Sequence, residues 1–297
     1  MLRDKSLITT IKFTDICNMQ CPWCIVEKDI QKTGRTPTAL WSEETKAKVY
    51  DVVSSQYYGG YNITGGEPLL YPDVLCDLIT HIRNTSGLTK GINLYTNGSL
   101  LTKDLVEFFN YHKVAVVFSV NVLGYKNLVN LLDCSNNPET VIDNIGNIDN
   151  LSIRSVFDRQ VPFAYESAIL HRLFPTARLE MSFDYTVFGG WSMEDVDFIE
   201  AEICKLKKFT ADFSWFSMTL LNHNYCASKQ HGAFHPDGAW RGVGMCKDVQ
   251  GIGMYGCTGL CAVLSPKVYN RYMVVGDNLR KHSIASNNSY KDKLCHL

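Results

Sequence analysis

Residues 17–24 read CNMQCPWC, which places three cysteines within eight residues at the spacing C-x3-C-x2-C. A structural zinc site usually has four ligands, often supplied as C-x2-C pairs. This stretch supplies three thiols, and no fourth cysteine follows nearby. It therefore predicts a metal centre that three thiolates hold and that keeps one position open.

The composition limits the class of protein. The chain has 297 residues, 45% of them hydrophobic, which is enough for the core of one large domain or two smaller ones. Its 29 Lys and Arg residues balance 30 Asp and Glu residues, which argues against a broad basic face for nucleic acid. No apolar run has transmembrane length, and the N-terminus lacks an apolar signal core, so we expect a cytoplasmic protein without a membrane partner.

The chain contains eleven cysteines, which are unevenly distributed. In a reducing compartment such a number favours metal ligands and reactive thiols over disulfides. Three lie within residues 17–24, and five follow residue 225. Isolated cysteines are expected to pack as small hydrophobic side chains. They are Cys76, Cys134 and Cys204.

Apolar periodicity predicts strands that alternate with helices up to residue 210. The predicted strands are 7–16, 60–64, 92–96, 114–121, 151–157 and 178–187. The predicted helices are 42–56, 72–84, 101–112, 164–174 and 192–209, with N-caps at Ser42, Thr102 and Ser192. Repeated β-α units predict a parallel sheet with right-handed crossovers. Six units fall short of a closed barrel, so the fold class is α/β, a partial (β/α)6 barrel of the TIM type.

The alternation stops after residue 210, where glycines, cysteines and aromatic residues replace it. We therefore assign residues 1–211 to the partial barrel and residues 212–297 to a small Cys- and Gly-rich C-terminal domain. The segment 134–150, CSNNPETVIDNIGNIDN, is polar and is predicted to be a surface loop.

Polar motifs follow the predicted strands at their carboxyl ends. The cysteine stretch ends the first strand, TGGEP (64–68) the second, YTNG (95–98) the third and FSVN (118–121) the fourth, and Arg154 lies in the fifth. In parallel α/β folds ligands bind at this edge of the sheet. Paired glycines also let the backbone approach a ligand closely. The pattern therefore predicts one binding site at the carboxyl edge.

The cysteine spacing, with an aromatic residue before the third cysteine and with GGEP and TNG following in order, resembles the radical S-adenosylmethionine (SAM) enzymes. The resemblance covers residues 8 to about 210. It implies that three thiolates hold three irons of a 4Fe–4S cluster and that SAM binds the fourth iron. An electron from the cluster then cleaves the sulfonium, and the 5′-deoxyadenosyl radical removes a hydrogen atom from the substrate.

The resemblance also implies roles for single residues. The implied cluster ligands are Cys17, Cys21 and Cys24. Gly65, Gly66 and Glu67 are the implied contacts of the SAM amino group, and Pro68 closes their turn. Trp23 would lie by the adenine, and Ser119 and Asn121 by the ribose or methionyl part. Arg154 would pair with the SAM carboxylate, and Asn97 is a further implied SAM contact. Two alternatives stay open, namely an ion pair for Arg154 and a turn residue of positive φ for Asn97.

The C-terminal region resembles the auxiliary-cluster extensions, SPASM-like or twitch-like, of many radical SAM enzymes. Its candidate ligands for a second iron–sulfur cluster are Cys226, Cys246, Cys257 and Cys261. Their spacing matches neither extension closely, and four thiolates would also suit zinc. A third interpretation is a cap with loop thiols over the barrel mouth.

Other C-terminal residues are interpreted more simply. The segment HPDGAWRGVGM (235–245) is a candidate lining of the substrate pocket, or ordinary turn sequence. The residues expected to lie in loops without a ligand role are His223, His231, His235 and Cys295.

The resemblance bounds the reaction class but leaves the substrate open. Our first hypothesis is epimerisation or dehydrogenation of a small molecule or short peptide in specialised metabolism, with a flavodoxin- or ferredoxin-type reductant. For an epimerase, Cys246 and then Cys226 are the candidate thiol donors of the returning hydrogen atom. One alternative is a peptide maturase that forms side-chain cross-links in ribosomally synthesised peptides (RiPPs).

Two further alternatives are weaker. A nucleobase- or tRNA-modifying enzyme fits poorly with the near-neutral charge. A non-catalytic iron–sulfur protein, such as an electron carrier, has no use for an open iron or a GGEP turn.

Overall fold

A computed structural model describes residues 8–55, 59–122, 128, 138–157, 162–183 and 192–209, with three short strands at 216–218, 232–234 and 240–242. The chain divides into two compact units. The first comprises residues 1–119, 129–151 and 227–257, and the second comprises residues 120–128, 152–226 and 258–297. The domain boundary predicted at residue 211 lies outside the described residues.

Strands and helices alternate along the described part of the chain. The strands are β1 (Ile8–Lys12), β2 (Gly60–Thr64), β3 (Gly91–Thr96), β4 (Ala115–Ser119), β5 (Leu151–Phe157), β6 (Arg178–Phe183), β7 (Phe216–Met218), β8 (Gly232–Phe234) and β9 (Trp240–Gly242). The helices are α1 (Ile25–Thr33), α2 (Glu43–Ser54), α3 (Pro72–Ser86), α4 (Lys103–Tyr111), α5 (Pro138–Gly146), α6 (Phe163–Leu173) and α7 (Met193–Phe209). Among the described helices, none is long and apolar enough to cross a membrane.

Parallel pairing dominates both units. In the first unit the strand order is β9-β8-β1-β2-β3-β4, and among these described strands only the β8–β9 pair is antiparallel. In the second unit β5, β6 and β7 pair in parallel in that order. Because helices separate the successive parallel strands, the α/β class predicted from the sequence is confirmed.

One face of the first sheet is apolar and lies under helices. Its buried residues are Ile11, Phe13, Tyr61, Ile63, Ile92, Leu94, Val116 and Phe118. The Tyr61 hydroxyl donates to Val53 O of α2 at 3.3 Å, which fixes that helix against this face. Alternate residues point to the other face, where Asn93 Nδ2 donates to Asn62 Oδ1 at 2.8 Å and Lys12 is buried. The motifs at the strand ends are therefore held by a rigid, half-polar sheet.

The three predicted N-caps are confirmed. Thr45 N donates to Ser42 Oγ at 3.2 Å, and Leu105 N donates to Thr102 Oγ1 at 3.3 Å. At the start of α7, Asp195 N donates to Ser192 Oγ at 3.2 Å while Ser192 N donates to an Asp195 carboxylate oxygen. Each such cap contributes about 1 kcal/mol, because it pairs a backbone N–H that the helix leaves without a partner.

The surface-loop prediction for 134–150 is wrong for residues 138–146, which form α5. Its polar composition hid three signals: Pro138 suits a first helical turn, Glu139 complements the helix dipole, and Ile145 is buried. Helix α1 had no sequence prediction either. It ends at Thr33, and Gly34 caps it with a φ of 65° and an N–H that donates to Ile30 O at 2.9 Å.

Candidate functional site

The three cysteines of the CNMQCPWC stretch lie in the loop between β1 and α1, and Cys24 is the N-cap residue of α1. All three are half-buried free thiols. Cys24 N donates to Cys21 O at 2.9 Å, which makes the second part of the loop a tight turn. Burial and then the neighbouring charges of Cys24 and Cys17 raise the pKa of Cys21 to about 12. The three thiols are therefore close enough to influence one another electrostatically.

Backbone hydrogen bonds join the TGGEP turn to the residues that follow β1. Gly66 N donates to Thr14 O at 2.7 Å, and Glu67 N donates to Ile16 O at 2.8 Å. A Cβ on Gly66 would lie 1.9 Å from Ile16 O, and one on Gly65 would lie 2.3 Å from Thr14 O. Both positions therefore require glycine, because two backbones meet there. The contact holds the turn directly beside the first cysteine.

The Glu67 side chain is 1% exposed and joins two strand ends. Its Oε1 accepts from Leu69 N at 2.9 Å and from Thr96 Oγ1 at 2.7 Å, and its Oε2 accepts from Asn97 N at 2.7 Å. Burial raises the pKa of Glu67 to about 7, although these donors favour the carboxylate. The side chain thus fixes the turn after β3, and Pro68 begins the short 3₁₀ turn 68–70 beside it. Contact of residues 65–67 with a SAM amino group stays a prediction.

The raised pKa of Glu67 predicts a dependence of stability on pH. The unfolded carboxyl ionises near pH 4.5 and the folded one near pH 7, so the folded state binds more protons between these values. The free energy of unfolding should therefore fall by about 3 kcal/mol as pH rises from 4.5 to 7. Urea titrations across this pH range should show the fall in the free energy of unfolding. The Glu67→Gln variant should lack the fall of about 3 kcal/mol that Glu67 contributes.

The matched control is Glu44→Gln, because Glu44 is exposed and its carboxylate forms an ion pair with Lys48 Nζ at 2.7 Å. Its pH profile should follow that of the wild type. A Glu67→Gln variant with the full wild-type slope would contradict the assignment of the titration to Glu67.

The YTNG turn contacts the cysteine loop through side chains. Asn97 Nδ2 donates to Asn18 Oδ1 at 2.9 Å and to Cys17 Sγ at 3.7 Å. Asn18 Nδ2 in turn donates to Ser99 Oγ at 2.8 Å. The structure therefore brings three sequence motifs together at the carboxyl edge of the first sheet.

An ion pair between the half-buried Arg35 and the buried carboxylate of Asp15 supports the base of the cysteine loop, and no sequence motif indicated it. Arg35 Nη1 and Nη2 donate to the two carboxylate oxygens of Asp15 at 2.6 and 3.0 Å, and Thr38 N donates to Asp15 Oδ2 at 3.0 Å. Burial raises the pKa of Asp15, but the hydrogen bonds and the Arg35 charge outweigh it, so the net pKa is lowered. The signal that could have indicated this ion pair is Asp15 itself, an acidic residue near the end of the β-branched stretch 7–16.

The remaining predicted SAM contacts have other partners in the structure. Ser119 is half-buried at the end of β4, and Trp23 is half-buried beside Cys24. Asn121 is 2% exposed, and its Nδ2 donates to Ser155 Oγ at 2.9 Å and to Val156 O at 2.7 Å. These bonds favour a structural role for Asn121.

Arg154 Nη2 lies 3.4 Å from Glu180 Oε1 on the neighbouring strand β6. This is the ion pair that the sequence analysis left open as the alternative. A contact of Arg154 with a SAM carboxylate stays a prediction, as do the contacts of Trp23, Ser119 and Asn121.

The C-terminal candidates Cys226, Cys246, Cys257 and Cys261 lie outside the described residues, so their ligand and donor roles stay predictions. Part of the HPDGAWRGVGM segment forms β9. Within the described ranges, no three His, Cys, Asp or Glu side chains are close enough to bind a single metal ion. A cluster of several irons does not require its thiolates to converge on one point.

A family model for the Radical SAM superfamily matches residues 11–166, more than half of the chain. The chain belongs to the radical SAM superfamily. The resemblance noted in the sequence is thereby confirmed, and the protein is a radical SAM enzyme. Membership implies a 4Fe–4S cluster and SAM as cofactors.

Similar curated proteins match a small part of the chain. It is 36% identical over 93 residues to GTP 3′,8-cyclase of Alkaliphilus metalliredigens (strain QYMF). These residues make up 31% of this chain and 28% of the cyclase. It is 30% identical over 115 residues to molybdenum cofactor biosynthesis protein 1 of Bos taurus. These residues make up 38% of this chain and 17% of that protein. The chain thus spans less than a third of the length of these relatives.

Solved structures are similar over more of the chain. Native anSMEcpe with bound AdoMet and Cp18Cys peptide has a TM-score of 0.62 and 14% identity, covering 91% of this chain and 83% of that one. Streptococcus suis SuiB bound to S-adenosylmethionine has a TM-score of 0.56 and 15% identity, covering 78% and 58%. At these identities the likeness shows the fold, and the predicted partial TIM-type barrel is confirmed.

The residues of the cysteine loop fit a 4Fe–4S cluster. They supply three free, half-buried thiols in one short loop. Burial raises the pKa of Cys17 as well as that of Cys21, so their thiolates need a nearby positive charge. Irons would supply that charge, since a coordinating thiol is deprotonated outright.

Proposed function

We propose that this enzyme cleaves SAM reductively at a 4Fe–4S cluster held by Cys17, Cys21 and Cys24 and abstracts a hydrogen atom from a small molecule or short peptide. The observation that carries the proposal is the backbone pairing of Gly66 N with Thr14 O at 2.7 Å and of Glu67 N with Ile16 O at 2.8 Å. This pairing holds the GGEP turn beside the first cysteine of the loop. When bound, the cluster supplies the electron that cleaves SAM to methionine and the 5′-deoxyadenosyl radical.

The residues of the chain would bind and orient SAM. In this proposal Gly65, Gly66 and Glu67 present backbone to the amino group, and the buried Glu67 carboxylate keeps that turn rigid. Ser119 and Asn121 would approach the ribose or methionyl part, and Trp23 the adenine. Arg154 would exchange its partner Glu180 for the SAM carboxylate.

We infer epimerisation or dehydrogenation in specialised metabolism as the finer reaction. In an epimerisation, the hydrogen atom taken from one face is replaced on the other face by one from a thiol. Cys246 is our first candidate for that thiol and Cys226 the second. A RiPP maturase that forms cross-links stays the alternative. A flavodoxin- or ferredoxin-type reductant and a cytoplasmic location belong to the same proposal.

A nucleotide substrate is the second candidate, and the similarity to proteins named GTP 3′,8-cyclase favours it. The similarity covers 31% of this chain, so it supports a shared cofactor chemistry more than a shared substrate. Incubation of the reconstituted enzyme with SAM, dithionite and GTP separates the two candidates. A cyclised product of GTP would favour the nucleotide substrate.

We also propose a second cluster with Cys226, Cys246, Cys257 and Cys261 as its candidate ligands. A thiol that ligates iron cannot also donate a hydrogen atom, so the donor must be a cysteine that this cluster leaves free. Zinc at the same thiols stays the competing proposal.

The experiment is anaerobic reconstitution with iron and sulfide, followed by SAM and dithionite. We expect 5′-deoxyadenosine and methionine to accumulate, and none without dithionite. A panel of deuterated amino acids, peptides, sugars and GTP then tests for deuterium in 5′-deoxyadenosine, which marks the hydrogen donor. A protein that binds iron and SAM but forms no 5′-deoxyadenosine with any reductant would overturn the proposal.

A further inference from the structure

Cys17 Sγ accepts hydrogen bonds from two N–H groups, one within the cysteine loop and one from the turn after β3. Met19 N donates to Cys17 Sγ at 3.4 Å, within the loop itself. Asn97 Nδ2 donates to the same sulfur at 3.7 Å from the turn after β3. Hydrogen bonds to sulfur are one of the factors that set the reduction potential of an iron–sulfur cluster.

The hydrogen-bond network decides which end of the Asn97 amide faces the sulfur. Asn97 Oδ1 accepts from Ser99 N at 2.9 Å and from Ser99 Oγ at 2.6 Å. Asn18 Oδ1 is an acceptor, and it lies 2.9 Å from Asn97 Nδ2. A flipped amide would place oxygen against oxygen and lose both Ser99 bonds. The nitrogen end therefore points towards Cys17.

The backbone of Asn97 is fixed from the opposite side. The buried Glu67 carboxylate accepts from Asn97 N at 2.7 Å and from Thr96 Oγ1 at 2.7 Å, and Gly98 N donates to Thr96 Oγ1 at 3.0 Å. Gly98 has a φ of 73°, and a Cβ there would lie 2.8 Å from the Phe118 ring. The turn can therefore adopt little other geometry, and the amide is held where it is.

We propose that Asn97 is a positioning residue whose amide donates to the Cys17 thiolate and raises the reduction potential of the cluster. The inference rests on the proposed cluster site. A reduced cluster carries one more negative charge than an oxidised one, so an N–H aimed at a ligand sulfur stabilises the reduced form more. Asn97 thus has a task distinct from the SAM contact that the resemblance implied for it.

The test is a redox titration of the reconstituted enzyme, followed by electron paramagnetic resonance. Asn97→Leu and Asn97→Ser both remove the N–H donor. We expect the equilibrium constant for one-electron reduction to fall about tenfold in each, equal to a potential lower by about 59 mV. The matched control is Ser99→Ala, which keeps the amide and the Ser99 N–H that orients it, and its equilibrium constant should change by less than about twofold, or about 18 mV.

Each outcome decides the proposal. Lower potentials in iron-loaded Asn97 variants, with Ser99→Ala close to wild type, would support it. An unchanged potential in either iron-loaded Asn97 variant would overturn it. Loss of iron from both would overturn it too, since Asn97 would then be needed for assembly. Wild-type protein that binds no iron would instead overturn the proposed function.

Discussion

Alanine in place of Cys17, Cys21 or Cys24 should abolish formation of 5′-deoxyadenosine from SAM. Each thiol is expected to hold one iron. Burial and neighbouring negative charges raise the pKa of Cys17 and Cys21, so their thiolates depend on the positive charge of the iron. The measurement is 5′-deoxyadenosine per chain after anaerobic reconstitution and reduction with dithionite. Cys76→Ala is the matched control, because Cys76 is a free, half-buried cysteine on α3 that belongs to none of the motifs. It should keep wild-type turnover.

Iron analysis of the same variants separates the two cysteine groups. If the C-terminal cysteines hold a second cluster, wild type should contain about eight irons per chain and the triple alanine variant about four, at four irons per cluster. A triple variant without iron would favour the cap interpretation of the C-terminal region, and a triple variant that contains zinc instead would favour a zinc site at the same thiols. Full turnover in any single variant of the loop would show that its thiol is not a ligand.

Alanine at Gly66 should destabilise the protein by about 3 kcal/mol or more, an effect typical of forced backbone displacement. The added Cβ would lie 1.9 Å from Ile16 O and 2.4 Å from Ile16 C, and both are backbone atoms that cannot rotate away. The bonds from Gly66 N to Thr14 O and from Glu67 N to Ile16 O would be lost. The free energy of unfolding in urea measures the loss, and iron content should fall with it.

Gly91→Ala is the matched control for this prediction. Gly91 lies in β3, and a Cβ there would meet nothing within 4 Å. We expect that variant to remain within about 1 kcal/mol of wild type. A Gly66→Ala protein with wild-type stability and iron content would contradict the close packing of the two backbones.

Periodicity predicted most of the fold because burial is regular. The strand GYNIT ends at Thr64 as predicted, and its buried residues Tyr61 and Ile63 alternate with the half-buried Asn62 and Thr64. Helix α4 follows Thr102 as predicted, since Val106 and Phe109 keep helical spacing and are buried. Helix α5 was missed because the whole segment 134–150 is polar in composition, and composition alone does not single out the buried Ile145.

The sequence motifs indicated which residues meet at the site, but not how they are held. Glu67 receives donors from Thr96 and Asn97, 29 and 30 residues away, and no local pattern encodes such bonds. The glycines of GGEP suggested close approach to a ligand. In the structure their first partner is the backbone at Thr14 and Ile16. Such contacts arise from tertiary packing and are visible only once the strands are placed.

The most direct test of the central claim is electron paramagnetic resonance of the dithionite-reduced wild-type protein with and without SAM. If Cys17, Cys21 and Cys24 hold a 4Fe–4S cluster with one open iron, the reduced protein should show a cluster signal whose g values shift when SAM is added. The triple alanine variant should show no SAM-dependent shift. A wild-type spectrum that SAM leaves unchanged, or a triple variant that still responds to SAM, would contradict the account.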